Sequence, residues 1–266
     1  MNTRPIGIFD SGVGGLTVVK EIFRTLPFEE IVYLGDTARL PYGTKSPETI
    51  RHFSLENVEF LMRFKVKMII VACNTASSTS LDILRDKYKI PIIGVIKPGV
   101  VKATTITRNN RIGVIGTYAT IKSRAYEKEI KALSKDILVF SQACPMFVPL
   151  VEEGWVNGDI TLRIAKKYLS KLISKHIDTL ILGCTHYPLL RPVISKIIGQ
   201  DVKIVDSASS VAEEAHNILT ALGALRKSSK TPNHRFFATD AVENFVKIGE
   251  RFLGSKIKRV ERADYV

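Results

Sequence analysis

The chain has 266 residues, of which 45% are hydrophobic and 24% are charged, with three cysteines and a formal net charge of +13. This length suffices for one large domain or for two smaller α/β domains with cores of their own. No stretch approaches the roughly 18 consecutive apolar residues of a transmembrane helix, so the sequence predicts none. The first five residues lack an apolar signal core, and an odd number of cysteines without an export signal is typical of reduced thiols. We therefore expect a cytoplasmic protein without a membrane partner.

The positive charge is concentrated in the middle of the chain. Residues 96–205 contain 17 Lys and Arg residues against eight Asp and Glu residues. They are scattered along predicted helix faces, and no helix-turn-helix, zinc or RNA-binding signature accompanies them. We interpret them as a solvated, lysine-rich face and do not expect a nucleic-acid partner. A positive field would also favour an anionic small-molecule substrate.

Strand and helix patterns alternate along the chain, which predicts an α/β fold with mostly parallel sheets. The predicted strands are 6–9, 31–34, 68–71, 92–95, 112–115, 137–140, 179–182, 202–205, 235–238 and 257–260. The predicted helices are 14–26, 47–64, a helix after Cys73 that ends near 88, 123–133, 159–174, 207–223 and 242–252. Ser46 is the expected cap of the second helix, with Pro47 in its first turn. Lys97-Pro98-Gly99 is a plausible crossing point into a second domain.

The chain repeats itself. Residues 6–11 (IGIFDS) are mirrored by residues 112–117 (IGVIGT), and residues 68–75 (MIIVACNT) by residues 179–186 (TLILGCTH). The segment after residue 206 has no counterpart, so we assign it to the first half. We predict a discontinuous first domain (1–97 and 206–266) around a second domain (98–205). The expected fold is α/β, with two similar doubly wound parallel-sheet domains related by pseudo-symmetry and the active site in the cleft between them.

A glycine-rich turn follows the first predicted strand. Asp10-Ser11-Gly12-Val13-Gly14-Gly15 leads into a helix, so its backbone can approach a ligand and its N–H groups can hold an anion. It has neither the dinucleotide spacing nor the Gly-Lys-Ser/Thr of nucleotide-binding motifs. A tight turn explains the glycines, but it does not explain an aspartate at the tip of the strand.

Cys73 and Cys184 follow matching strands. Each lies ahead of a predicted helix N-terminus, which would lower the pKa of its thiol toward neutrality. His186 and Asp10 are candidate proton handlers for Cys184 and Cys73, whereas Cys144 lacks such a setting and is interpreted as structural. A metal site would need a fourth ligand, disulfide exchange a closely spaced partner thiol, and a cysteine hydrolase only one thiol. Removing a proton from one face of a carbon acid and returning one to the other face uses both thiols.

Several motifs carry a resemblance to a known family. They are GIFDSGVGGLT at 7–17, GDTAR and PYG within 35–43, ACNTA at 72–76, GT and AT within 116–120, ACP and FVPLVE within 143–152, and GCTHYP at 183–188. Up to about residue 210 the chain resembles the cofactor-independent aspartate/glutamate racemases. The resemblance implies interconversion of L-glutamate and D-glutamate for peptidoglycan, with no pyridoxal phosphate, no other cofactor and no metal.

The resemblance also implies roles for individual residues. Cys73 and Cys184 become the two acid/base residues, Cys73 acting on D-glutamate and Cys184 on L-glutamate. Asp10 and His186 support them, and Glu152 assists Cys184. The implied substrate-binding residues are Asp10, Ser11, Pro41, Tyr42, Gly43, Asn74, Thr75, Thr117, Thr120, Thr185 and His186.

Other interpretations stay open at this point. The substrate could be another amino acid, such as aspartate, because the size of the pocket decides between them. A non-catalytic protein could use the same cleft to bind an anion, with inert thiols. Members of the resembled family are often dimers, so we also expect a homodimer.

Overall fold

The computed structural model describes residues 3–228 and 230–264. The parts of the predicted first domain at Met1, Asn2, Ser229, Tyr265 and Val266 lie outside the described residues. The strands are β1 (Ile6–Asp10), β2 (Ile31–Gly35), β3 (Met68–Val71), β4 (Ile92–Gly94), β5 (Arg111–Gly116), β6 (Leu138–Ala143), β7 (Thr179–Gly183), β8 (Lys203–Asp206), β9 (Arg235–Ala238) and β10 (Val260–Arg262). The helices are α1 (Leu16–Thr25), α2 (Pro47–Met62), α3 (Asn74–Lys87), α4 (Ile96–Ile106), α5 (Tyr118–Lys122), α6 (Ala125–Leu133), α7 (Phe147–Glu152), α8 (Asp159–Ile173), α9 (Arg191–Ile198), α10 (Ser207–Ala221) and α11 (Val242–Leu253).

The strands form two sheets in which every pairing is parallel. The first sheet has the order β10-β9-β2-β1-β3-β4 and the second has the order β6-β5-β7-β8. All residues of β1, β2, β3 and β7 are buried, as expected for strands that are covered on both faces. The predicted α/β class with parallel sheets is therefore confirmed.

The two halves repeat each other in their strand order. The order β2-β1-β3-β4 of the first sheet matches the order β6-β5-β7-β8 of the second, so β3 and β7 are equivalent strands. Cys73 follows β3 after one intervening residue, and Cys184 follows β7 directly. The repeat thus places both cysteines at the carboxyl ends of equivalent strands, where parallel α/β sheets bind ligands.

The last part of the chain returns to the first sheet. β9 pairs with β2, with Tyr33 opposite Phe236, and β10 pairs with β9, with Val260 opposite Phe236. We propose that the first domain consists of residues 1–97 and 206–266 and the second of residues 98–205. The strands of the first sheet come from 1–97 and 206–266, which supports this division.

Helix caps follow the sequence. The hydroxyl of Ser46 accepts a hydrogen bond from the Thr49 N–H at 3.2 Å, with Pro47 in the first turn of α2. The carboxylate of Asp206 accepts one from the Ala208 N–H at 3.3 Å and begins α10. The predicted cap at Ser46 is confirmed, and Asp206 caps α10 in the same way.

The proposed crossing segment is helical. Lys97, Pro98 and Gly99 lie in α4, and Pro98 is tolerated because it falls in the first turn, where the helix needs no N–H donor. Gly99 packs against α10, where an added Cβ would lie 2.5 Å from the Ser207 hydroxyl oxygen. The glycine therefore reflects close helix packing instead of a flexible linker.

Other predicted boundaries also differ from the structure. The helix predicted over 123–133 is interrupted at Arg124, whose φ of 54° lies in the left-handed region. The predictions omitted α4, α5, α7 and α9, and the last two are short helices that contain Pro149 and Pro192. The last strand begins at Val260 and not at Ile257. None of the helices among residues 3–228 and 230–264 is long and apolar enough to cross a membrane.

Candidate active site

A cavity of about 400 Å³ lies between the two halves, at the carboxyl ends of the strands. Every predicted site residue except Asp10 and Thr120 lines it. They are Ser11, Pro41, Tyr42, Gly43, Cys73, Asn74, Thr75, Thr117, Glu152, Cys184, Thr185 and His186. A larger cavity of about 740 Å³ lies among Phe23, residues 231–236 and the segment before β10, and neither cysteine lines it.

Cys73 occupies the N-cap position of α3 and is 5% exposed. Its sulfur accepts a hydrogen bond from the Ala76 N–H at 3.4 Å, and its thiol donates to the Ser11 hydroxyl oxygen at 3.7 Å. A thiol in this position can exchange a proton with a molecule in the cavity, and the helix N–H can stabilise the resulting thiolate.

The prediction of a lowered thiol pKa is wrong for Cys73. Burial, followed by the negative charge of Asp10, raises the pKa of Cys73 to about 12, although the Ala76 N–H and the Ser11 hydroxyl act in the opposite direction. Loss of hydration penalises the thiolate more than one helix N-terminus stabilises it. Cys73 is therefore protonated at neutral pH.

Cys184 belongs to a chain of three side chains. Its sulfur lies 3.9 Å from Nδ1 of His186, and Nε2 of His186 lies 2.9 Å from Oε1 of Glu152. Cys184 and His186 are 7% and 3% exposed, and both come from the turn after β7. A 3₁₀ helix (Tyr187–Leu190) begins three residues after Cys184 and leads into α9, so the expected helix N-terminus after Cys184 is present.

His186 has an unusual protonation equilibrium. Although burial disfavours the imidazolium, hydrogen bonds and charges from Cys184 and Glu152 outweigh it and raise the pKa of His186 to about 10. The imidazole is therefore protonated at neutral pH, with one acidic neighbour on each ring nitrogen.

Asp10 lies behind the cavity wall. Its side chain is fully buried, and Oδ2 accepts hydrogen bonds from the N–H groups of Gly15 at 2.9 Å and Gly12 at 3.3 Å. Oδ1 has no hydrogen-bond partner within the described part of the chain. Burial raises the pKa of Asp10, against the lowering effects of His186 and of the glycine N–H groups. Asp10 therefore acts on Cys73 through its charge and does not form part of the cavity surface.

Tyr42 lines the cavity, but its hydroxyl has other partners. The hydroxyl donates to Asp36 and accepts from Nδ2 of Asn57 at 3.0 Å. Asp36 is fully buried and also accepts from Nε of Arg39 at 2.7 Å and from the hydroxyl of Thr239 at 3.1 Å. The Pro41-Tyr42-Gly43 loop is thus fixed from behind, and a ligand would meet the backbone of the loop and not the phenol group.

Three threonine hydroxyls join the two halves at one side of the cavity. Oγ1 of Thr75 lies 2.9 Å from Oγ1 of Thr117 and 3.2 Å from Oγ1 of Thr120, and the last two are 3.0 Å apart. Thr75 and Thr117 line the cavity, whereas Thr120 is 1% exposed and lies behind them. Thr120 can orient the other two hydroxyls but is not itself a wall residue.

Sequence analysis assigned no role to some residues of the wall. These are Leu40, Thr44, Tyr118, Pro145, Val148, Pro149 and Glu153. Most of them border predicted motifs, so the carboxyl-end loops could have been taken as whole segments. The described residues contribute no Lys or Arg to the wall, so a bound anion would depend on backbone N–H groups, hydroxyls, the Asn74 amide and the protonated His186.

The third cysteine does not line this wall. Cys144 is fully buried, its thiol donates to the Gln142 carbonyl oxygen at 3.7 Å, and its own carbonyl accepts from the Tyr187 hydroxyl at 2.9 Å. Burial raises the pKa of the Cys144 thiol. Within residues 3–228 and 230–264, no cluster of His, Cys, Asp or Glu has the arrangement of a metal site.

Comparisons with known proteins give one consistent result. The sequence model of the family described as Asp/Glu/Hydantoin racemase matches residues 6–215. The chain is 51% identical over 257 residues to a glutamate racemase from Geobacter metallireducens, covering 97% of this chain and 95% of that protein.

Solved structures give the same result. A crystal structure of the glutamate racemase isoform RacE1 from Bacillus anthracis is similar with a TM-score of 0.96 and 45% identity, covering 99% of this chain and 98% of that one. A glutamate racemase from Francisella tularensis in complex with D-glutamate is similar with a TM-score of 0.94 and 42% identity, covering 100% of this chain and 99% of that one.

Proposed function

This chain belongs to the Asp/Glu/Hydantoin racemase family, and from that membership we propose that it interconverts L-glutamate and D-glutamate by a two-cysteine mechanism. The observation that supports this mechanism best is the equivalent position of Cys73 and Cys184 at one cavity. Relatives with more than 40% identity are named glutamate racemases, which favours glutamate over aspartate as the substrate.

The protonated Cys73 thiol fits the direction from L-glutamate to D-glutamate. In this proposal, the Cys184 sulfur, as a thiolate beside the protonated His186, removes the α-proton of L-glutamate. The C–H bond breaks, its electron pair stays on Cα, and the proton moves to sulfur. The Cys73 thiol, which is protonated because its pKa is about 12, donates its proton to the opposite face of Cα. The reverse reaction exchanges the two roles.

The charges around each cysteine adapt it to its role. Glu152 and Cys184 keep His186 protonated, which holds a positive charge beside the base for L-glutamate. Asp10 places a negative charge near Cys73, which disfavours its thiolate and makes that thiolate, once formed, a stronger base for D-glutamate. The effect of Asp10 narrows the difference between the pKa of the Cys73 thiol and that of the weak carbon acid.

The wall of the cavity fits an acidic amino acid. Ser11, Asn74, Thr75, Thr117 and Thr185 offer hydroxyl and amide groups, and α3 directs its N-terminus at the same space. Such groups bind carboxylates and stabilise the charge that develops at the α-carboxylate when the proton leaves. We propose these residues, together with Pro41, Tyr42, Gly43 and His186, as the substrate-binding set, with Thr120 and Asp10 acting behind it.

The biological setting is also part of the proposal. Formation of D-glutamate would supply peptidoglycan synthesis, which takes place from cytoplasmic precursors. We propose a cytoplasmic location and a homodimer on the resemblance to the racemase family. Size-exclusion chromatography with light scattering measures the mass in solution directly, and a mass near 29.6 kDa would contradict the dimer.

Racemisation of L-glutamate in deuterium oxide, without added cofactor, tests the function. We expect a decreasing circular dichroism signal and loss of the α-proton resonance as deuterium enters at Cα. Cys73→Ser and Cys184→Ser should each abolish racemisation.

Cys144→Ser provides the matched control, because this third buried cysteine does not line the cavity and its variant should racemise normally. Folded wild-type protein that neither exchanges the α-proton nor changes the optical signal would contradict the proposed function. Unaltered racemisation in both cavity-cysteine variants would contradict the two-cysteine mechanism.

A further inference from the structure

Tyr126 contacts both of the turns that contain the cavity cysteines. It lies on α6 in the second half and is 2% exposed. Its hydroxyl donates to Oδ1 of Asn74, the residue after Cys73, at 2.6 Å. Its ring lies against Gly183, the residue before Cys184, where an added Cβ would be 3.0 Å from Cε2 of the tyrosine.

Tyr126 itself does not line the cavity, whereas Asn74 does. Burial raises the pKa of the Tyr126 hydroxyl, so this group stays protonated and acts as a donor. Because the Tyr126 hydroxyl donates at 2.6 Å, the oxygen of the Asn74 amide must face the tyrosine. The NH₂ end of the amide is then available to a ligand. The contact therefore determines which end of the amide a ligand meets.

We propose that Tyr126 is a positioning residue for the racemisation, because its hydroxyl fixes the Asn74 amide with its donor end toward the substrate. This proposal rests on the proposed function. A carboxylate has only acceptor atoms, so it binds to the NH₂ end of the amide and is repelled by the oxygen. The ring of the same tyrosine packs against Gly183, so one side chain of the second half contacts the segments before Cys184 and after Cys73.

Kinetics of Tyr126→Phe test the inference, since this variant keeps the ring and removes only the hydroxyl. Without the hydroxyl the Asn74 amide is free to rotate, and we expect KM for both glutamate enantiomers to rise about five- to tenfold, the effect of one polar hydrogen bond. We expect kcat to change less than KM, because a contact made in both the ground state and the transition state acts mainly through KM.

The double variant distinguishes positioning from a general structural role. In an Asn74→Ala background, Tyr126→Phe should have no further effect on KM, because the hydroxyl acts through the missing amide. Tyr168→Phe is the matched control, since this partly exposed phenol packs edge-on against Phe147 at 5.4 Å, outside the cavity wall, and its loss should leave KM unchanged.

Asn74→Asp provides a second variant that keeps an acceptor for the Tyr126 hydroxyl but removes the amide donor, so it must also raise KM. An unchanged KM in Tyr126→Phe or in Asn74→Asp would overturn the inference. An equal rise of KM on Tyr126→Phe in the wild-type and Asn74→Ala backgrounds would also overturn the inference. Failure of the wild-type enzyme to racemise glutamate would instead count against the proposed function.

Discussion

Gly14 is the position where a single methyl group should separate activity from folding. It belongs to the turn after β1 in the first half. A Cβ added there would lie 2.2 Å from Oγ1 of Thr185 and 2.5 Å from Nδ1 of His186, both in the second half. Normal contacts of such atoms are about 3.5 Å, so Gly14→Ala must displace Thr185 and His186 by roughly 1 Å.

A shift of this size changes the geometry of the proposed proton transfer at Cys184. Misplacement of about 1 Å costs around 100-fold in rate, so we expect kcat/KM for L-glutamate to fall by about that factor. The two halves can relieve the contact by moving slightly apart, so the loss of stability should stay within the roughly 1–3 kcal/mol of an overpacked site. Circular dichroism of L-glutamate racemisation gives kcat/KM, and urea unfolding gives the stability.

Gly7→Ala is the matched control for this experiment. Gly7 lies near the amino end of β1, away from the cavity, and its added Cβ would lie 3.1 Å from Cγ1 of Val66 and 3.3 Å from Cδ1 of Leu61. We expect a modest loss of stability and unchanged kinetics. A folded Gly14→Ala variant with kcat/KM within about threefold of the wild type would refute the reasoning, because the methyl would then have been accommodated without moving the catalytic turn.

Three further predictions follow from the environment of buried charges. With its pKa raised to about 12, Cys73 should be alkylated by iodoacetamide at pH 8 about 1000-fold more slowly than an ordinary thiol. Peptide mapping measures this alkylation rate, which should rise as the pH passes through the pKa of Cys73. Ordinary reactivity at pH 8 would contradict the raised pKa. Glu152→Gln removes a charge 2.9 Å from His186, so kcat/KM should fall about 10- to 100-fold. The alkaline limb of the pH profile should also move to lower pH, because the protonated imidazole loses a partner. An unmoved alkaline limb would argue against the ion pair of His186 and Glu152. Lys67→Met leaves the buried Glu29 carboxylate without the ammonium group that lies 2.6 Å away. This variant should lower the free energy of unfolding, measured in urea, by about 3–5 kcal/mol. The double variant Glu29→Gln with Lys67→Met should recover part of the lost stability.

The positions of elements and cysteines could be predicted because they depend on local patterns. The four apolar residues of β3 are bounded by Lys67 and by Asn74, and this boundary defines a buried strand that ends at a cysteine. The cap at Ser46 depends on one hydroxyl and the proline after it. The repeat of such patterns predicts two similar halves, which the strand orders confirm.

The directions of side chains could not be predicted, because they depend on partners that are distant in sequence. The hydroxyl of Tyr42 is directed toward Asp36 and Asn57, and no local pattern marks that network. Asp10 lies behind its glycine turn because the N–H groups of Gly12 and Gly15 bind its carboxylate there. Sequence motifs give the members of a site, while tertiary packing decides which of them face a ligand.

The pKa of Cys73 shows the same division between local and tertiary effects. A helix N-terminus is visible in the sequence and predicts a lower thiol pKa. Burial depth and the charge of Asp10 are set by packing, and they dominate.

The repeat makes the two cysteines equivalent in position but not in chemistry. Cys73 lies near a buried carboxylate, Asp10, which opposes its ionisation, whereas Cys184 lies beside an imidazolium that Glu152 supports. A reaction that takes a proton from one face of a carbon and returns one to the other face needs one thiolate and one thiol at the same moment. Identical surroundings would favour the same protonation state at both sulfurs. The opposite charges beside equivalent strand ends would therefore allow two similar halves to provide the base and the acid of the proposed reaction.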